Sequence, residues 1–319
     1  MRGDYVAENK LKIEKTLPVF AIFTTLAIAL RLWQTFTLIE PDTGFYKTND
    51  VTVTVLYAVL AAAGLLIFFI SYLSKKVPQP TLPEGKNIGF GLISVAVSLS
   101  LLVNAATQLS SFSQALKEVE TVNAFNINVE TSQVVSNLMK NGSLPKGIEG
   151  LLAIVSAIYF LLFALRFFGA KINIENRKIL AVAPVFWATA RMIQRFTRTI
   201  SFIFVSDLLL ELFMIGFMML FLLYFAQLAS KVNSRHVMSK VYSYGLISAM
   251  FALVISVPKI VVAIVLPSLN SQSNPLEICN VTMAAFIIVL CCVMLKVEKE
   301  DNITLKEAEK LKEEIKTEE

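Results

Sequence analysis

The chain has few of the residues that soluble enzymes use for chemistry. Charged residues make up only 17% of its 319 positions, and it contains a single histidine. A soluble domain of this length would carry roughly a quarter charged residues, so the composition excludes a soluble globule. The one histidine, His236, lies in a polar connection between Lys231 and Lys240. This position excludes a histidine-based metal site or catalytic pair buried in a membrane.

The three cysteines do not form a disulfide framework. Cys291 and Cys292 are adjacent within an apolar run, and Cys279 lies 12 residues before Cys291. On a helix this separation is about 18 Å. No disulfide among them is expected.

Long hydrophobic runs dominate the rest of the sequence. Hydrophobic residues make up 55% of the chain, and the mean hydropathy is +0.65. Eight runs are long enough to cross a hydrocarbon core of roughly 30 Å. These runs are residues 17–38, 51–73, 88–110, 148–168, 179–200, 203–229, 242–266 and 278–296. The first contains Arg31 and is too long and too polar for a cleaved signal core, so the sequence predicts an all-α polytopic transmembrane helical bundle with eight spans.

The basic residues indicate how these spans are oriented. Lys and Arg concentrate in the N-terminal tail, in the second, fourth and sixth connections and in the C-terminal tail, whereas the seventh connection has none. Because cytoplasmic segments carry the excess of Lys and Arg, both termini are predicted to be cytoplasmic. The net charge of +5 therefore reflects topology, and no nucleic-acid partner is expected. If the fifth run did not cross, the charge bias would be reversed.

The apolar runs divide the chain into a transmembrane domain and two tails, and they leave one long exterior loop. Residues 1–16 form a cytoplasmic N-tail, residues 17–296 form the eight-helix transmembrane domain, and residues 297–319 form a charged cytoplasmic C-tail helix. The only sizeable exterior loop covers about residues 111–147, with an amphipathic surface helix expected from Thr131 to Lys140. The C-tail alternates Lys and Glu with apolar residues at helical spacing. It is interpreted as a solvated helix or, alternatively, as a docking site for a cytoplasmic protein partner.

Ionisable residues inside the spans are the most informative about function. A charge at mid-membrane costs about 2.5 to 3.5 kcal/mol on insertion scales, so it needs a partner or water. In span five, Arg191, Arg195 and Arg198 fall within an arc of about 60° that continues the line of Trp187. The pattern predicts one basic stripe with an aromatic residue beside it.

Span six carries two acids on one face, Asp207 and Glu211. If spans five and six form a short hairpin, the helical rise of 1.5 Å per residue places each acid level with one arginine. The expected ion pairs are Arg191 with Glu211 and Arg195 with Asp207.

Arg31 in span one and Lys259 in span seven lie at a similar depth in the outer third of the membrane. The predicted outer cluster thus has five cations against the two acids of span six. The five are Arg31, Arg191, Arg195, Arg198 and Lys259. A positive surplus predicts binding or transport of a small anion or an anionic lipid headgroup. Pro184 and Pro258 are expected to interrupt their helices and free backbone groups there.

A structural interpretation competes with this one. Arg195, Arg198 and Lys259 lie near enough to the outer boundary to reach the headgroups, and two ion pairs would fix the register of spans five and six. The protein would then be a non-catalytic membrane scaffold or accessory subunit. An enzyme is the least favoured class, because the sequence offers no catalytic residue, cofactor site or metal site.

Three segments resemble sequences of a known group of proteins. They are Ala183–Arg191, Asp207–Leu212 and Asp42–Tyr46, which resemble uncharacterised multi-spanning membrane proteins of Gram-positive bacteria. The resemblance covers mainly spans five and six. It implies a bacterial plasma membrane, and it implies no particular activity.

Overall fold

The chain folds as a bundle of long helices. The structure, a computed structural model, describes residues 14–38, 51–73, 86–125, 136, 138–139, 142–170, 178–197, 205–232, 236–265 and 278–295. Within these ranges there is no strand. The helices are α1 (Thr16–Thr37), α2 (Val51–Leu73), α3 (Ile88–Phe125), α4 (Ser143–Phe167), α5 (Lys178–Thr197), α6 (Val205–Ala229), α7 (Val237–Val265) and α8 (Ile278–Leu295). The predicted all-α class is confirmed.

Of the eight helices in the described ranges, seven are long and apolar enough to cross a membrane. The protein is therefore a polytopic integral membrane protein. The exception is α5, which is helical as expected but carries Arg191, Gln194 and Arg195 in its last two turns.

The third helix is longer than its apolar run. The sequence predicts an end near residue 110 and an exterior loop from residue 111, but α3 continues to Phe125. The expectation of a loop over residues 111–125 is wrong, because a polar segment without Gly or Pro can remain helical beyond the apolar run. The expected surface helix from Thr131 to Lys140 lies almost entirely outside the described residues. The N-tail before residue 14 and the C-tail from 297 to 319 lie outside them as well.

Two glycines set the ends of α4. Gly142 precedes the helix with φ 66°, and Gly169 follows it with φ 101°. Both values lie in the left-handed region that glycine adopts without a Cβ clash. After the helix, the Gly169 N–H donates to the Arg166 carbonyl at 3.1 Å, and the Ala170 N–H donates to the Leu165 carbonyl at 3.1 Å. These bonds satisfy carbonyls that would otherwise be unpaired at the C-terminus of the helix.

Most consecutive helices pack against each other. The contacts join α1 with α2, α3 with α4, α4 with α5, α5 with α6, and α6 with α7, and α7 also packs on α1 and α2. The Ser98 hydroxyl on α3 donates to the Ala157 carbonyl on α4 at 2.8 Å, which requires the two helices to be close together. Small residues at such contacts allow this close approach.

Helix α8 lies at the centre of the bundle. The ring of Phe286 contacts Phe90 of α3 at 5.4 Å, Phe160 of α4 at 5.2 Å and Phe225 of α6 at 5.4 Å between centroids. The Tyr242 hydroxyl on α7 donates to the Cys291 carbonyl at 2.6 Å. Four helices therefore surround α8, and their aromatic side chains form the core.

Replacing Gly245 by alanine should destabilise this core. A Cβ at Gly245 would lie 2.8 Å from the Phe221 ring and 3.0 Å from Ile287, so the rings of the core would have to shift. Overpacking of this kind costs about 1–3 kcal/mol. The measurement is the free energy of unfolding in mixed micelles titrated with SDS.

Gly216→Ala is the matched control for Gly245→Ala. Gly216 also lies within a spanning helix, but a Cβ there would meet no atom within 4 Å. We expect Gly216→Ala to be neutral or stabilising by up to about 1 kcal/mol, because alanine favours the helix. Equal effects at the two glycines would contradict the packing of α6, α7 and α8 described above.

Candidate functional site

Glu211 is the centre of a buried ion cluster between α5, α6 and α7. Arg195 Nε lies 3.3 Å from Glu211 Oε2, and Lys259 Nζ donates to Glu211 Oε1 at 3.1 Å. Each carboxylate oxygen therefore has one cation of its own, from two different helices. Glu211 and Arg195 are buried, so their charges are weakly screened by water and attract each other strongly.

Arg191 lies one turn from Arg195 on the same face of α5. It is buried, and its guanidinium carbon is 5.5 Å from the ring centroid of Trp187. This distance falls within the range of a cation–π contact. Arg191 also acts electrostatically on Glu211. Of the predicted stripe, Trp187, Arg191 and Arg195 thus face the interior of the bundle, and Arg198 lies outside the described residues.

The ion pairs differ from those that the sequence predicts. Glu211 was expected to pair with Arg191, but its contacts go to Arg195 and Lys259. The pairing predicted from helical rise assumes that the adjoining ends of α5 and α6 lie at the same depth and that each acid meets the arginine at its own level. An arginine side chain is long enough to bridge the 5.4 Å of one helical turn, so Arg195 can reach Glu211. The expected partner of Arg195, Asp207, has a side chain outside the described part of the structure, and so does Arg198.

Lys259 has a different role from the one expected. The sequence treats it as a cation without a partner, but it bonds to Glu211. Its side chain keeps 27% exposure, against 8% for Glu211. It lines a cavity of about 20 Å³ together with Ser256 and Asn280. Lys259 is therefore more exposed than the buried Glu211, Arg191 and Arg195 of the cluster.

The expected helix interruptions are not present. Pro184 lies within α5 and Pro258 within α7, and both helices continue through their proline. The missing N–H still removes one backbone hydrogen bond at each site. The helices nevertheless present Trp187, Arg191 and Lys259 as side chains on continuous faces.

The contact that Arg31 makes in the described part of the structure is with its own helix, α1. Arg31 is buried, and its Nη1 donates to the Gln34 side chain at 3.4 Å. The Gln34 amide in turn donates to the Thr52 carbonyl at 2.9 Å, which ties α1 to α2. Because α1 packs on α2 and α7 whereas α5 packs on α4 and α6, these contacts do not bring Arg31 to Arg191 and Arg195.

A second polar cluster, between α3, α4 and α8, was missed by the sequence analysis. The Asn104 amide donates to the carboxyl of Glu149 at 3.2 Å, and the hydroxyls of Ser100 and Thr282 are 2.7 Å apart. The Cys279 thiol interacts with Ser100 and lies within electrostatic range of Glu149 and Arg191. The signal in the sequence is the pair of glycines, 147 and 150, that flank Glu149.

These features define a class of protein, a helical integral membrane protein with charged side chains buried among its spans. Comparisons of the chain with protein families, with curated proteins and with solved structures find no match.

Proposed function

We propose that this protein has eight membrane spans and binds or transports a small anion at the cluster around Glu211. The eighth span is α5. Its exposed residues between the helix ends are Phe186, Ile193 and Phe196, whereas Arg191 and Arg195 are buried. A helix with apolar residues outside and polar residues inside suits a lipid environment, because its charges contact protein and not hydrocarbon.

The orientation follows if α5 crosses. Successive connections then lie on alternate sides of the membrane, and the tails and the even-numbered connections, which carry the concentrations of Lys and Arg, share one side. By the positive-inside rule, that side is the cytoplasm. The resemblance to membrane proteins of Gram-positive bacteria supports a bacterial plasma membrane. In this orientation Glu211, Arg195 and Lys259 lie in the outer part of the bundle.

The observation that carries the anion proposal is the ratio of charges around Glu211. Arg191, Arg195 and Lys259 all act on this one carboxylate. If Asp207 of the same helix also faces them, three cations still meet two acids. A positive surplus held in a low-dielectric interior is a favourable site for an anion.

The cavity beside Lys259 indicates the size of that anion. Its volume of about 20 Å³ suits one water-sized occupant. A halide ion is close to this size, whereas phosphate and a lipid headgroup are several times larger. The Lys259 ammonium, the Ser256 hydroxyl and the Asn280 amide supply the donors that a halide needs. A monatomic anion is thus favoured over an anionic lipid headgroup.

The test is anion-dependent thermal unfolding of the purified protein in a neutral detergent. Sodium chloride or bromide would be titrated against sodium gluconate at constant ionic strength, with phosphate and an anionic phospholipid in parallel. We expect saturable stabilisation by the halides, about 2.7 kcal/mol at 100 times the dissociation constant. Lys259→Gln should abolish it.

Lys240→Gln is the matched control, because Lys240 lies on the same helix at the other end, 4.6 Å from the centroid of the Tyr224 ring. It should keep the halide effect. An identical response in Lys259→Gln and the parent protein would refute the halide site. A response confined to the anionic lipid would move the site to the membrane surface, and a response confined to phosphate would refute the preference for a halide.

A second candidate, a membrane scaffold or accessory subunit, is favoured by one observation. Both oxygens of Glu211 already have a cation as partner, so the ion pairs by themselves link α5, α6 and α7. Its partner would dock on the cytoplasmic side, with the C-tail as the candidate surface. This function predicts no stabilisation by any anion.

A further inference from the structure

An apolar groove lies between α5 and α6 on the surface of the bundle. Its volume is about 370 Å³, which falls within the range of about 300–1,000 Å³ that ligand pockets have. Met192 of α5 forms one wall, and the other wall follows α6 from Leu209 to Leu220. Every residue that lines the groove is apolar or glycine, and each is exposed or half-buried. The groove is therefore open to the surroundings of the bundle, and its side chains offer no charge to a polar ligand.

The groove extends over one half of the membrane. The apolar part of α6 begins at Leu208 and ends at Ala229. From Leu209 to Leu220 the groove is about 16 Å long, at 1.5 Å per residue. Half of a hydrocarbon core of roughly 30 Å is about 15 Å. The groove thus begins at the membrane boundary and ends near the midplane, which is the region that the acyl chains of one leaflet occupy.

The width of the groove suits a single hydrocarbon chain. Spread over about 16 Å, its volume of about 370 Å³ gives a cross-section of roughly 23 Å², or about 5 Å across. Non-bonded carbon atoms pack about 3.5–4.0 Å apart, so a polymethylene chain fits, whereas a second helix about 10–12 Å across does not. Because a cavity of about 150 Å³ holds one benzene ring, the groove has room for roughly 15 carbon atoms.

Gly216 leaves the middle of the groove open. A Cβ at this position would meet no atom within 4 Å, so a larger side chain would extend into the groove. Near its inner end, the Thr189 hydroxyl of α5 donates to the Met219 sulfur of α6 at 3.3 Å, which links the two walls. Met192 and Met219 are flexible and adapt to irregular apolar shapes. A chain in the groove would contact two helices at once, so it would make more dispersion contacts than a chain on a single helix.

We propose that the groove between α5 and α6 binds one acyl chain of a membrane phospholipid, in the leaflet at the Leu208 end of α6. The chain lies along α6 and crosses Gly216. Binding depends on the shape of the groove, because the surrounding lipid is equally apolar and burial alone gives no preference.

The groove and the ion cluster lie on different faces of α6. Glu211 follows Leu209 by two residues, which is about 200° around the helix. The residues that line the groove do not include Glu211 or its cationic partners Arg195 and Lys259. The halide titration and the labelling experiment below therefore test different residues, and failure of one does not decide the other.

The test is photolabelling of the full-length protein in phosphatidylcholine vesicles that contain a small fraction of phosphatidylcholine with a diazirine midway along one acyl chain. On illumination the diazirine loses N₂, and the resulting carbene inserts into a C–H bond of a neighbouring side chain, which mass spectrometry locates. We expect several-fold more adduct on residues 209–220 than on the exposed face of α2. That face is the more exposed of the two, with Leu65 at 71% and Phe69 at 60% against 47% for Leu209 and 50% for Phe213. Labelling that follows exposure alone would overturn the proposal.

Gly216→Leu should fill the groove and remove this enrichment. Gly64→Leu is the matched control, because a Cβ at Gly64 of α2 also meets no atom within 4 Å, and it should keep the enrichment. Unchanged enrichment in Gly216→Leu would overturn the proposal. Protection of the groove from the label, which a second copy of the chain seated on it would produce, would also overturn it. If Gly216→Leu does not fold, the distribution of adducts in the wild type decides.

Discussion

Replacing Phe163 by alanine should cost about 3–5 kcal/mol of folding free energy, one of the largest effects of any single substitution in the bundle. Its ring lies against five others in the core, at centroid distances from 5.1 to 6.2 Å. These are Phe90, Tyr159, Phe167, Phe225 and Phe286. Because lipid tails are as apolar as the core, the loss is mainly one of packing contacts.

Phe186→Ala is the matched control for Phe163→Ala. Phe186 is 58% exposed on α5, so lipid replaces its ring contacts when it is removed. We expect a change of less than about 1 kcal/mol in SDS-titrated unfolding. If both substitutions had the same effect, the interior position of Phe163 would be incorrect.

The helices could be predicted from the sequence because each is encoded by an apolar run. Val51–Leu73 has the same bounds in the sequence and in the structure, and α1, α6 and α8 agree within a few residues. Hydropathy, however, indicates which residues suit a membrane and does not indicate where a helix begins or ends. It therefore could not show that α3 continues to Phe125 as a polar helix, which only the absence of Gly and Pro indicates.

The partners within the site were predicted less completely than the helices. The rise per residue gives the depth of a side chain in the membrane, but it does not give the rotation of the helix about its axis. Depth alone brought Glu211 to the level of the arginines of span five, but the rotation of α5, α6 and α7 decides that Arg195 and Lys259 are its partners. Glu149 was missed for another reason. An apolar run beginning at residue 148 places it at the membrane boundary, whereas α4 begins at Ser143 and buries it against α3.

Replacing Glu211 by glutamine should destabilise the protein by about 3–5 kcal/mol, because it leaves the buried Arg195 and the partly exposed Lys259 without their carboxylate. Arg195 and Lys259 would then face an amide that accepts a hydrogen bond but carries no charge. The measurement is SDS-titrated unfolding together with the yield of monodisperse protein. Glu118→Gln, at an exposed position of α3, should have little effect.

The double variant Glu211→Gln with Lys259→Gln separates a charge effect from a packing effect. It removes one of the stranded cations, so it should be more stable than Glu211→Gln alone. Lys259→Gln alone should be mild, since Arg195 still holds Glu211 and the lysine keeps 27% exposure. If the double variant were less stable than Glu211→Gln, repulsion between the stranded cations would not be the cause of the loss.

If the cluster binds halides, chloride should stabilise Glu211→Gln more than the parent protein, because the anion then replaces the missing carboxylate.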